Sequence, residues 1–225
     1  MDNCRTAQKR VHGVIRRLFR EGTVTSAADG SVHSLFPVGI GAVEGQTLRD
    51  WVKREGAAHT IEVGLGYGIS ALHICEALLG NGDHAARHLV VDPNQKTRFA
   101  NCGLQVLEEA GVAALVEHCA EVSQIALPRF LASGRTFDFA FIDGNHRFDG
   151  VFLDLIYLGQ LVRPGGIIIA DDYQLPGVMR AVSFCLTNLG WTLEESGAAD
   201  DQHHWAVLRT GTTDDTRPYY HFVDF

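Results

Sequence analysis

From His59 onward, short apolar runs of β type alternate with stretches of helical periodicity, and nothing else in the chain constrains its fold as strongly. A run that is apolar along its whole length belongs to a strand covered on both faces, which a sheet with one wet face does not provide. Helices lying between such strands supply that cover as crossovers, so a parallel sheet is expected. Strands are placed at 60–63, 88–92, 114–118, 137–142 and 166–170. One helix turns Ala71, Leu72, Ile74, Cys75, Leu78 and Leu79 inward and ends at Gly80; another uses Val151, Leu155, Leu158 and Val162 and stops at Pro164–Gly165. A helix over 177–188 precedes two further runs, 191–196 and 204–210, whose polar connection over 197–203 suits an antiparallel hairpin.

These elements add up to an α/β fold: a Rossmann-like, doubly wound sheet of seven strands, mostly parallel, with a C-terminal antiparallel hairpin and an N-terminal helical extension. At 225 residues a single domain, 1–225, is expected, with the extension at 1–35, the core at 36–210 and a tail at 211–225. Residues 5–20 carry Val11, Val14, Ile15, Leu18 and Phe19 on one helical stripe, with Arg10, Arg16, Arg17 and Arg20 off it. Such a helix packs on its own domain or on a second copy, which makes a homodimer an expectation. Residues 22–30 read as a loop.

Composition narrows the function. No apolar run approaches the roughly 20 residues that span a bilayer, and the polar start MDNCRTAQKR has no apolar signal core, so no membrane association and a cytoplasmic location are expected. The five cysteines are scattered and form no CxxC pair, which suits reduced thiols. A net charge of -8 disfavours a nucleic-acid partner and favours a small molecule.

A strand ending near Glu62 is followed by Gly64, Gly66 and Gly68 and then by a helix starting at Ile69–Ser70, the arrangement in which backbone turns tightly against a ligand. The dinucleotide fingerprint needs its third glycine where this chain has Ile69, so the pattern is GxGxG and points away from NAD. S-adenosylmethionine has no pyrophosphate; a strand-end acid, glycine-loop amides and a hydroxyl such as Ser70 serve its charged end. A tight turn without a ligand is the plainer reading. Asp92 ends the next strand, where an acid can accept both ribose hydroxyls. Glu121 follows the third strand and either flanks an adenine or complements a helix dipole.

The segments EVGLGYGISALHI, VVDPNQ, FDFAFIDGNHRFDGVFLDL and LVRPGGIIIADDY together resemble class I S-adenosylmethionine-dependent methyltransferases. Within that class they are most similar to the metal-dependent catechol and caffeoyl-coenzyme A O-methyltransferases and their bacterial natural-product relatives, over roughly residues 36–210. The stretch VGIGAVEGQ at 38–46 resembles the family's segment over the cofactor's methionine end. By this resemblance Ile40, Glu62, Gly64, Ser70 and Asp143 become cofactor contacts or neighbours.

Asp143 ends one expected strand and Asp171–Asp172 end the next. Adjacent parallel strands lie about 4.8 Å apart, so the three carboxylates can converge at one sheet edge. Three converging carboxylates need a cation, and hard oxygen ligands favour Mg²⁺, with Mn²⁺ or Ca²⁺ as alternatives. The family places its metal ligands at the matching positions, the third commonly Asn where this chain has Asp172. The plainer reading has Asp171 and Asp172 capping the following segment or facing solvent. The family's general base, a lysine, is matched here by His146, whose neutral imidazole can take a hydroxyl proton. Asn145 either orients a substrate oxygen or, with His146, simply starts the next helix. Pairings of His203 and His204 with Asp200 and Asp201, and of His84 with His88, are discounted, because strand neighbours point to opposite faces and loop acids are usually solvated.

The expected function is methyl transfer from S-adenosylmethionine to a hydroxyl of a small molecule, assisted by Mg²⁺. The alternatives are a metal-independent N- or C-methyltransferase, a non-catalytic cofactor-binding module, and a nicotinamide oxidoreductase.

Overall fold

The computed structural model describes residues 2–199, 203–212 and 217–225. Asp200 and Asp201, and residues 213–216 of the tail, lie outside them. The chain runs α1 (Asp2–Glu21), β1 (Thr23–Thr25), β2 (Val32–Ser34), α2 (Ala42–Arg54), β3 (His59–Val63), α3 (Ile69–Asn81), β4 (Arg87–Val91) and α4 (Cys102–Glu109). A single 3-10 turn leads into β5 (Val116–Cys119), followed by α5 (Ser123–Ala132), β6 (Phe137–Ile142), α6 (Phe148–Leu161), β7 (Val162–Ala170), α7 (Pro176–Asn188), β8 (Thr192–Ala198) and β9 (His204–Arg209).

The large sheet has seven strands in the order β5-β4-β3-β6-β7-β9-β8. The first five are parallel, while β9 pairs antiparallel with β7 on one side and with β8 on the other. This is the expected doubly wound sheet with its antiparallel ending. Side-chain alternation divides the interior in two. Phe139, Phe141, Ile167 and Ile169 pack with α1, α2, α3 and α4, whereas Ala140, Ile142, Ile168 and Ala170 pack with α5, α6 and α7. From β3 the winding goes outward through β4 to β5, then returns to place β6 on the other side of β3. The reversal opens a crevice beyond the carboxyl ends of β3 and β6, where open α/β sheets bind ligands.

Two expectations change. The segment read as a loop contains β1, which pairs with β2 as a small antiparallel ribbon; strands of three polar-flanked residues leave no periodic signal. The stop at Pro164–Gly165 lies inside β7. The helix ends at Leu161, Val162 pairs with Phe137, and the register then jumps to Phe139 opposite Ile167, so the proline sits in an irregularity where the ladder asks nothing of its missing N–H. The apolar stripe of α1 is buried within the chain, Val11 and Leu18 fully so, and the helix packs on α3. Of the two coverings expected for this stripe, the helix's own domain supplies the one seen. Among the described residues no helix is long and apolar enough to cross a membrane.

Candidate active site

The crevice is built by continuing the parallel ladder one rung past the strands. Asp92 N–H donates to the Cys119 carbonyl, Gly64 to Val91, Asp143 to Val63 and Asp171 to Ile142, all at 2.9–3.0 Å. These bonds bring the four strand-end positions to one edge, around a cavity of about 980 Å³. That volume lies at the top of the range for small-ligand pockets.

The glycine loop is shaped by Asp92. Its Oδ2 accepts the N–H groups of Leu65 and Gly66, each at 3.1 Å, and the Gln95 Nε2 at 2.8 Å. Its Oδ1 accepts Asn94 N–H at 2.7 Å, leaving that oxygen the freer of the two. Gly64 has φ +96°, and a Cβ there would overlap the Asp143 carbonyl oxygen, so glycine is needed for the loops after β3 and β6 to touch.

At the other end of the cavity stand Glu44, Asp143, Asp171 and Asp172. His146 lies between two of them, with Nδ1 2.6 Å from Asp172 Oδ2 and Nε2 3.3 Å from Asp143 Oδ1. The carboxylates of Asp143 and then Asp172 push His146 up to about 10, so the ring is a cation at neutral pH in this arrangement. Burial and then the charge of Asp171 raise Asp143 well above the usual carboxylate range. Burial and the charge of Asp172 likewise raise Asp171. Burial works against Asp172 too, but His146 and Gln174 outweigh it and hold this carboxyl low. Asp172 is left-handed, with φ +53°, and its Oδ1 accepts Gln174 Nε2 at 2.8 Å. Gln174 in turn accepts His204 N–H, which ties the acid to β9.

Sequence reasoning missed Glu44. Entering from the first turn of α2, it is 1% exposed and pushed up to about 11 by burial and the neighbouring Asp171; its Oε1 has no hydrogen-bond partner. A glutamate in a first helical turn without a capping hydroxyl was the available signal.

Of the residues singled out from the sequence, Ile40, Gly64, Gly66, Asp92, Asp143, Asn145, His146, Asp171 and Asp172 line the cavity. Glu62, Gly68, Ser70 and Glu121 do not. Glu62 is fully buried beneath the sheet with Oε2 3.6 Å from His88 Nε2, and neither of its oxygens is hydrogen-bonded. At Gly68 a Cβ would meet Val106 at 2.8 Å and the Gly103 carbonyl at 3.0 Å, so this glycine serves the packing of α3 on α4. Ser70 is 4% exposed within α3. Glu121 pairs with Arg129 at 2.8 Å beside a separate shallow depression. Asn145 Oδ1 accepts Arg147 N–H at 3.1 Å, an Asx turn that leads into α6. Among the described residues no three His, Cys, Asp or Glu side chains are gathered as an ion-binding group.

Residues 61–173, half of the chain, match the family model described as a methyltransferase domain. The chain belongs to this methyltransferase family. The class I likeness read from the sequence thus holds over the segments that carried it. Among curated relatives, tricin synthase 2 of Oryza sativa subsp. japonica is 32% identical over 132 residues, 57% of this chain and 42% of that protein, so the chain spans less than half of it. A caffeoyl-CoA O-methyltransferase of Stellaria longipes is 25% identical over 183 residues, 76% of this chain and 73% of its own length. The fold matches the O-methyltransferase involved in tomaymycin synthesis from Streptomyces achromogenes, solved with S-adenosylmethionine. Its TM-score is 0.67 at 20% identity, covering 91% of this chain and 89% of that one. An O-methyltransferase from Bacillus cereus solved with S-adenosylhomocysteine gives the same TM-score at 16% identity, covering 90% of both chains.

Proposed function

We propose that this chain is a single-domain, cytoplasmic, S-adenosylmethionine-dependent O-methyltransferase that methylates a hydroxyl of a small molecule with the assistance of Mg²⁺, or of Mn²⁺ or Ca²⁺ in its place. One observation carries the reading: the glycine loop held in shape by Asp92 shares a single cavity with Asp143, Asp171 and Asp172. The cofactor-bound fold neighbours and the names of the relatives support it.

S-adenosylmethionine, when bound, supplies a methyl group on a positively charged sulfur. Asp92 offers its less occupied Oδ1 to the ribose, and the segment holding Ile40 covers the methionine end. The carboxylates suit a hard divalent cation in type and charge, and the crowding by which Glu44, Asp143 and Asp171 are each raised by burial and by acidic neighbours is what such an ion would relieve. Asp143, Asp171 and Asp172 would hold the ion, which lowers the pKa of a hydroxyl beside it. With Asp143 and Asp172 engaged in holding the ion, the two influences that raise His146 to about 10 would weaken, and its ring would be able to take the hydroxyl proton. The chain's remaining contribution is to align the oxygen with the methyl group and to keep water out.

A second reading rests on His146 standing between Asp143 and Asp172. There the imidazolium itself offsets the carboxylates, no ion is required, and Asp143, which burial lifts, accepts the proton. Methyl transfer to a panel of phenols, with and without EDTA, separates the two: the first reading expects EDTA to abolish turnover, the second expects full turnover. Calorimetry with S-adenosylmethionine against NAD tests the cofactor, and tight NAD binding alone would sink both.

A further inference from the structure

The cavity wall carries a cation that the described chain leaves unanswered. Arg147 follows His146 directly and lines the same cavity, but while His146 stands among the acids, Arg147 is exposed at the rim. Its backbone is held on both sides. The N–H donates to Asn145 Oδ1 at 3.1 Å, and the carbonyl accepts the Val151 N–H at 3.0 Å at the start of α6. Gly177 of α7 packs so closely here that a Cβ on it would lie 2.9 Å from the Phe148 nitrogen and 3.0 Å from the His146 carbonyl oxygen. The root of the guanidinium is therefore fixed beside His146, while its tip is uncommitted. Arg49, Arg129, Arg135, Arg163 and Arg209 each meet a carboxylate, but among the described residues none pairs with Arg147. Asp149 is two positions on, a spacing at which helical side chains do not face each other. The cavity's other guanidinium, Arg98, lies over the Phe99 ring and is tied by its N–H to Asn94, at the Asp92 end.

We infer that the acceptor carries a carboxylate besides its hydroxyl, and that Arg147 holds this group at the rim while the hydroxyl lies among Asp143, Asp171 and Asp172. This rests on the O-methyl-transfer reading above. A planar guanidinium presents paired N–H donors that match the two oxygens of a carboxylate. The acidic end of the cavity repels a further anion, so an acidic acceptor is admitted in one direction only, with its acid outward and its hydroxyl inward. A neutral acceptor gains nothing from Arg147.

The test measures methyl transfer, with Mg²⁺ at neutral pH, to two matched pairs of catechols: protocatechuate and its amide, and caffeate and its amide. Acid and amide differ in the acidity of their ring hydroxyls, but identically for every variant, so a change in their ratio of kcat/KM isolates Arg147. Arg147→Ala is expected to lower the acid-to-amide ratio about tenfold for at least one pair, because exposure to water keeps the ion pair from being worth more. The loss is expected in the KM of the acid, smaller in Arg147→Lys and larger in Arg147→Glu. A ratio unmoved in the alanine and glutamate variants for both pairs overturns the inference. So does a rise in the KM of S-adenosylmethionine with the ratio kept, which would give Arg147 to the cofactor. Transfer by wild type to none of the four compounds overturns the O-methyl-transfer reading and this inference with it, a different result from transfer without discrimination.

Discussion

The Nδ1 of His146 lies 2.6 Å from Oδ2 of Asp172, close enough that the ring's charge and the acid's ionisation are one problem. Asp143 and Asp172 together hold His146 up at about 10, so below that pH the ring carries a proton and has no lone pair with which to act as a base. Replacing Asp172 with Asn removes one of the charges that favour the cation and lowers this pKa. The titration of the His146 ring, followed by NMR in the metal-free protein, is then expected to fall about one unit lower than in wild type. An unmoved titration would mean that Asp172 does not hold the ring's proton.

Asp171 follows directly from β7 and faces the cavity beside Glu44 and Asp172. If an ion is held there, Asp171→Ala lowers kcat by at least about a hundredfold, the scale of losing one preorganised electrostatic contact. It also abolishes the binding of Mn²⁺ seen by electron paramagnetic resonance. A variant that binds Mn²⁺ as wild type does would take Asp171 out of the ligand set.

Gly64 offers a test of the architecture. An alanine there has a strained φ and collides with the Asp143 carbonyl, so Gly64→Ala is expected to destabilise the protein by about 2 kcal/mol or more in urea unfolding. Activity is expected to fall further than stability, because the loop that moves carries Asp143. Unchanged stability would mean that the two loops do not touch as described.

His73 lies in α3 against Gly45 and Phe19, is 5% exposed, and has no partner on either ring nitrogen. Burial, and then the charge of Arg49, lower it to about 4 from an ordinary 6.5. The unfolded chain binds this proton more readily than the folded one. The resulting stability is complete above pH 6.5 and declines as pH falls toward 4, by up to about 3 kcal/mol. Urea midpoints at pH 7 and pH 5 should therefore converge in His73→Leu relative to wild type. An equal pH dependence in the two proteins would assign the effect to the carboxylates instead.

What could be read from the residues follows a physical division. The core strands β3, β4, β6 and β7 were legible because full burial imposes an apolar run, and the ends of those runs placed Asp92, Asp143 and Asp171 at one edge without further information. The β1–β2 ribbon was illegible because three-residue strands are too short to show a period. Glu62 and Ser70 were drawn toward the ligand by their place in the sequence, yet strand alternation turns Glu62 under the sheet and helical packing encloses Ser70. Glu44 was missed for the opposite reason. It reaches the cavity from a helix that precedes the glycine loop, and only tertiary packing brings it there.

The closure of Gly64 on the Asp143 carbonyl also bears on how the acceptor pocket could be altered by design. The cofactor loop and the loop bearing the first acid share a surface with no room for a methyl group, so neither can be exchanged for a homologue's version alone. A transplant that alters acceptor choice has to move both as a matched pair, or confine itself to positions outside this contact, such as Val38 and Arg147 at the cavity wall.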